Sequence, residues 1–157
     1  MTMISGLGMR KLATMAAIGL CLGAGLSSAV SAADEPQVVR AGMMKKVGGA
    51  MGQLAAIAKG EKPYDAAVVK ASLTTMEEVA KAFPEQFPKG SETGFNTEAS
   101  PKIWEDPATF KTKAKALETA AATQLATLPA DQAGVGAALK SIGGTCGDCH
   151  QTFRLKK

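Results

Sequence analysis

The segment Cys146-Gly147-Asp148-Cys149-His150 holds two of the three cysteines and the single histidine of this 157-residue chain. C-x-x-C-H is the attachment spacing of a c-type haem. Residues i and i+3 share one face of a helix, so both thiols can form thioethers with the vinyl groups of one porphyrin. His150 then offers its imidazole to the iron as the proximal ligand. A thioredoxin-like dithiol would sit beside a βαβ pattern, and a zinc site would need four ligands. The chain has neither, so one covalent haem c is the expected cofactor and Cys146, Cys149 and His150 are the residues expected to hold it.

The first residues read as an export signal. Arg10 and Lys11 precede an apolar run over residues 12–26 that contains Gly19, Gly23 and Gly25, followed by Ser27-Ser28-Ala29-Val30-Ser31-Ala32-Ala33. Charged, apolar and small-residue regions in that order form a secretory signal peptide. Cleavage after Ala32 or Ala33 releases a mature chain of about 125 residues, which makes residues 34–157 one domain and places it in the periplasm. Met9 is a more ordinary start than Met1. The run is shorter than the ~20 residues that span a bilayer, so no membrane span is expected after cleavage. Cys21 leaves with the leader.

Loss of Arg10 and Lys11 lowers the formal charge from +4 to +2, and the remaining lysines are interspersed with acids. That excludes the basic footprint of a nucleic-acid binder. An aromatic content of 4% with abundant Ala, Leu, Val and Lys favours helices over a β-sandwich.

Four segments keep an apolar stripe in alternating steps of three and four residues, the seam of a helical bundle. The first covers about 36–59 with Met44, Val47, Met51, Leu54 and Ala58, and closes at Gly60. The second covers about 65–83 with Val69, Leu73, Met76, Ala80 and Phe83, and Pro84 is expected to end it. The third covers about 105–128 with Phe110, Ala114, Leu117, Ala121, Gln124 and Leu128. The fourth opens at the N-cap Asp131 and carries Val135, Leu139, Ile142, Cys146, Cys149 and Phe153. Short connections within the first and second pairs make antiparallel neighbours. The fold class is thus all-α, an up-down-up-down four-helix bundle with the haem in its core. Residues 84–102 hold Pro84, Pro88, Gly90, Gly94 and Pro101 and read as a long loop that builds or covers a site. Within it Phe87 and Phe95, with Ile103 and Trp104 beyond, are placed to close over a haem edge or to fill the end of the bundle.

No methionine follows His150, so a sixth ligand of that type must come from Met43, Met44, Met51 or Met76. In an antiparallel bundle the end of the fourth helix is level with the start of the first. Met44 meets that level, Met51 lies about 10 Å further along, and Met76 belongs to the diagonal helix. Met43 is turned about 100° away from the seam. Met44 is therefore the residue expected over the haem, either bound to iron or only packed there. Arg40, one turn before Met44, and Arg154, one turn after His150, are the only arginines beyond the leader. Each is a candidate cation beside the haem, unless both are solvated charges at helix ends.

Cys146 to His150 with Phe153-Arg154, the stretch Ala58-Lys59-Gly60-Glu61-Lys62-Pro63-Tyr64-Asp65, and Pro101-Lys102-Ile103-Trp104 together resemble the class II cytochromes c, the cytochrome c' and cytochrome c-556 family. The resemblance implies the same four-helix bundle, places the distal residue four after a helix-one arginine, here Arg40 and Met44, and lends both arginines a role in the pocket. It includes six-coordinate proteins with a bound Met and five-coordinate ones with an apolar residue there. It also implies frequent homodimers through the first two helices, where Val68, Ala71, Thr75 and Val79 form a second stripe. The expected function is electron transfer with unidentified redox partner proteins. The alternative is a five-coordinate cytochrome c' that binds nitric oxide or carbon monoxide. Enzymatic activity is not expected, because no second histidine exists to act as acid or base on peroxide.

Overall fold

The computed structural model describes residues 35–156, so the expected leader over 1–33 lies outside the described residues. Four long helices form the bundle: α1 (Pro36–Ala58), α2 (Ala66–Ala82), α4 (Pro107–Ala126) and α5 (Gln132–Phe153), with a single-turn helix α3 (Lys102–Glu105) ahead of α4. Helix α1 packs on α2 and α5, and α4 packs on the same two, so α1 and α4 stand on one diagonal. This is the expected up-down-up-down arrangement. Among the described residues there is no β-strand, only an isolated antiparallel bridge between Ala99 and Arg154.

Local chemistry sets the helix ends. Gly60, at φ +75°, closes α1 in a Schellman motif: its N–H donates to Ile57 O (2.9 Å), and that of Glu61 to Ala56 O (2.9 Å). Asp65 caps α2 by accepting from Ala67 N (2.8 Å) and Val68 N (3.2 Å), and Asp131 caps α5 by accepting from Gly134 N (2.8 Å). At that same end of the bundle Tyr64 Oη donates to Pro129 O (2.7 Å), tying the two short connections together.

One boundary agrees with expectation and one differs. Helix α2 ends at Ala82, beside the expected stop at Phe83-Pro84, and the chain goes on as a separate 3-10 turn over Phe83–Gln86. Proline's missing N–H is an orphan at the start of such a turn in any case. The third helix begins at Pro107, since Asp106 breaks from α3 and caps α4 by accepting from Thr109 N (3.1 Å). Asp-Pro is an N-cap followed by the favoured first helical residue, a local signal that sets this start.

Leu54, Ile57, Val69, Leu73, Met76, Ala121, Val135 and Ile142 form the main core. Ala50 and Ile57 are buried in it, whereas Met44 and Met51 are only half-buried, so the buried face of α1 is rotated from the expected stripe toward its neighbours. The expected outward stripe on α2 is not one: Val79 is 8% exposed and Val68 packs against the core. A smaller cluster of Ile103, Phe110 and Phe153, with Phe83, Phe87 and Trp104 against it, closes the other end. No helix of the described residues is long and apolar enough to cross a membrane.

Leu54 is fully buried at the centre of the main core. Leu54→Ala should lower unfolding stability by about 2–5 kcal/mol, read in urea as a lower midpoint with an unchanged slope.

Candidate haem site

The last turns of α5 present Cys146, Cys149, His150 and Phe153 to one cavity of about 700 Å³ between the bundle and the long loop. That volume is in the range that encloses a cofactor. Val47, Ala80, Phe83, Phe87, Ile103 and Phe110 make its apolar wall. All six residues singled out from the sequence line it: Cys146, Cys149, His150, Arg40, Met44 and Arg154. Two thiols, one imidazole and an apolar enclosure are the donor set and shape that a covalently attached haem requires, so the residues fit that group.

The thiols lie partly buried, and burial pushes both upward in pKa; for Cys149 the neighbouring Asp148 and Cys146 add to this while Lys113 opposes it. Lys113 on α4 pairs with Asp148 at its side. His150 is largely exposed, and the part of its ring that is desolvated lowers its pKa, helped by the charge of Arg154 and opposed by Glu98. A lowered pKa keeps the imidazole neutral at neutral pH, the form whose lone pair binds a metal.

The register between α1 and α5 can be read from their closest approaches. A methyl group added at Gly136 would meet Ala58 at 3.9 Å, and one added at Gly143 would meet Met51 at 3.9 Å. One heptad separates the two pairs along each antiparallel helix, and the same step continued once more would carry Met44 to the level of His150. Met51 also lines the cavity, but at the level of Gly143, about 10 Å from that of His150. Met76 lies wholly in the core and Met43 packs against the core without reaching the cavity wall.

Arg40 is not a solvated helix-end charge: it is 4% exposed. Its Nη1 donates to Ser91 Oγ (3.0 Å) and Gln86 O (3.4 Å), and its Nη2 to Ser91 O (2.7 Å) and Thr97 Oγ1 (2.8 Å). The guanidinium also lies 4.9 Å from the centre of the Phe87 ring and 5.7 Å from that of Trp104. Burial lowers its pKa while Glu92 raises it. Its donors are largely committed to the loop, so its first task is to fasten that loop to α1.

Arg154 is exposed and pairs with Glu98, with Nε and Nη2 both 2.6 Å from Oε2. Backbone bonds from Ser100 N to Phe153 O (3.0 Å) and Leu155 N to Glu98 O (2.8 Å) bind the same loop to the end of α5. Phe87, Phe95 and Ile103 reach the cavity, as expected. Trp104 stands behind Phe87, ring centres 5.6 Å apart, its indole N–H donating to Phe87 O (3.1 Å). Gln37, Ser91, Thr97 and Glu98 are participants that the sequence did not single out. Polar loop residues carry no periodicity, and nothing local marks them.

The family model described as Cytochrome C' matches residues 35–154. The chain is 58% identical over 149 residues to a cytochrome c-556 of Agrobacterium fabrum strain C58, covering 94% of this chain and 98% of that protein. It is 62% identical over 118 residues to the cytochrome c-556 of Agrobacterium tumefaciens strain B2A, covering 75% of this chain and 95% of the relative. Among solved structures, cytochrome c' from Rhodopseudomonas palustris superposes with a TM-score of 0.74 at 38% identity, covering 78% of this chain and 98% of that one.

Arg40→Met removes the side-chain fastening of the loop and leaves Ser91 and Thr97 without their cationic partner. Unfolding stability should fall by on the order of 3 kcal/mol. Limited proteolysis should cut within residues 86–97, where the unaltered protein resists. The reduction potential should also move downward, because loss of a fixed positive charge favours the ferric state.

Proposed function

This chain belongs to the cytochrome c' family and carries a single covalent haem c, and on that premise we propose that it is an exported, periplasmic electron carrier in which His150 and Met44 would both bind the iron. The bound haem supplies a one-electron couple between ferrous and ferric iron. Everything else falls to this chain's residues. Cys146 and Cys149 hold the group to α5 through thioethers. His150, its pKa lowered by partial desolvation and by Arg154, would offer a neutral imidazole to the iron. Met44 approaches from α1 with a soft thioether sulfur, a ligand type that raises the potential of a haem. Val47, Phe83, Phe87, Ile103 and Phe110 exclude water, so the surroundings rearrange little when charge changes.

The reading is supported by the register of α1 on α5, Ala58 against Gly136 and Met51 against Gly143, whose continuation by one heptad would carry Met44 to the level of His150, and by Met43 and Met76 standing away from the cavity. The two Agrobacterium relatives, both cytochromes c-556, agree with a carrier of this kind. Export is supported by residues 10–33 of the sequence.

Absorption spectra test the ligation directly. The ferric protein should be low-spin with a weak far-red band from iron and thioether sulfur, and the ferrous protein should take up carbon monoxide slowly because the sulfur must leave first. Met44→Ala should abolish the band, lower the potential and speed gas binding. A high-spin protein without the band that binds nitric oxide readily would transfer the assignment to the five-coordinate, gas-binding alternative. Attachment is tested separately. With Cys146 and Cys149 both replaced by Ala, acidified organic solvent should extract the haem, and haem retained in that protein would overturn the thioether assignment. The doubly substituted protein should also fold less stably, as a bound group that fills a core adds its binding free energy.

A further inference from the structure

Three consecutive residues of the long loop adopt left-handed backbone: Gly94 (φ +89°), Phe95 (φ +49°) and Asn96 (φ +52°). Glycine takes that conformation freely and asparagine tolerates it, but a bulky aromatic residue does so under strain. Phe95 is also the most exposed large apolar side chain among the described residues, at 53%. An exposed, strained phenylalanine adds little to folding, and strain of this sort persists where the surroundings impose it, as they do at functional sites.

The surroundings here are specific. On one side of the turn Gln37 Nε2, from α1, donates to Thr93 O (2.7 Å); on the other Arg40 Nη2 donates to Thr97 Oγ1 (2.8 Å). Thr97 N closes the turn on Gly94 O (3.0 Å). Gln37 is 6% exposed, and its Oε1 is buried with no hydrogen-bond partner among the described residues. The clamp is thus kept with an unsatisfied amide oxygen, a second local cost beside the backbone strain. Both clamping residues and Phe95 line the haem cavity, and Phe95 also borders a surface hollow that it shares with Leu155.

We propose that Gln37 and Arg40 hold the 93–97 turn in its strained form so that Phe95 shields the solvent side of the haem cavity, making Phe95 a positioning residue for the electron-transfer site. The shield limits water at the haem edge, and water favours the more highly charged ferric state, so the shield raises the potential. It also limits direct contact by small hydrophilic reductants. The inference rests on the presence of the covalent haem, and it does not depend on whether Met44 is bound to iron.

The test uses the haem-loaded protein and three variants, Phe95→Gly, Phe95→Leu and Gln37→Leu, with the midpoint potential, the bimolecular rate of reduction by ascorbate and the urea midpoint measured for each. Phe95→Gly relieves the left-handed strain, so it should unfold at equal or higher urea while its potential falls and its ascorbate rate rises several-fold. Phe95→Leu keeps an apolar cover and should stay near the unaltered protein in both redox measurements. Gln37→Leu retains Phe95 but releases the clamp, and should shift both in the direction of the glycine variant. Unchanged potential and rate in Phe95→Gly would overturn the proposal. A large loss of stability in that variant would also overturn it, by making Phe95 an ordinary packing residue. Acidified organic extraction of the unaltered protein distinguishes this from failure of the haem assignment, and its ferric spectrum distinguishes it from failure of Met44 ligation.

Discussion

A guanidinium buried between one helix and a loop holds the open end of this bundle together. The loop over residues 87–101 has no element of its own to pack through, and its polar backbone cannot face an apolar cavity unpaired. Arg40 supplies several donors from a fixed point on α1 and takes up acceptors from Gln86, Ser91 and Thr97. Arginine suits this because its planar fork reaches several acceptors at once and its faces stack on Phe87 and Trp104. A buried charge unpaired would cost several kcal/mol, so the loop and the helix position are mutually enforced.

From that fastening the aromatic end of the molecule follows. Phe87 sits at its centre, 5.0 Å from Phe83, 4.8 Å from Phe110 and 5.6 Å from Trp104, in edge-to-face contacts, and Phe110 continues to Phe153 at 5.3 Å. Phe153 lies one turn past Cys149 and His150 on α5, so the cluster joins the loop to the helix that bears the ligands. The Arg154–Glu98 pair and the bridge at Ala99 add a tie on the outside, where an exposed ion pair contributes little alone and serves mainly to align the two segments.

The two ends of the bundle therefore do different work. The end marked by Tyr64, Pro129 and the cap residues Asp65 and Asp131 is closed by short connections and packs a dry core around Leu54, Leu73 and Ile142. The other end leaves a gap between α1 and α5, lined by half-buried Met44 and Met51 on one side and the thiols on the other. The stripe that includes these methionines has the periodicity of a core seam throughout, yet Met44 and Met51 both pack against the core and border the cavity, while Leu54 is fully buried. The apolar stripe read from the sequence left out Ala50 and Ile57, which are buried in the core beside it.

Much of the site was legible from residue types. The C-x-x-C-H spacing specifies covalent haem by chemistry alone, and three-four periodicity with Gly60 and the N-cap Asp131 specifies long antiparallel helices, because capping and amphipathicity act within a few residues. Asp106-Pro107 is equally legible as a helix start, since an N-cap and a first-turn proline act locally. That Met44 and His150 would border one cavity was accessible once the topology was assumed, since helix rise is constant. What no local rule carries is the destination of Arg40's hydrogen bonds, the Gln37 clamp, the left-handed turn at Phe95 and the Glu98 pair. Each joins residues more than fifty positions apart in the chain or depends on a loop without repeat, and such contacts are decided only when the helices have packed and the loop has to satisfy its backbone against them.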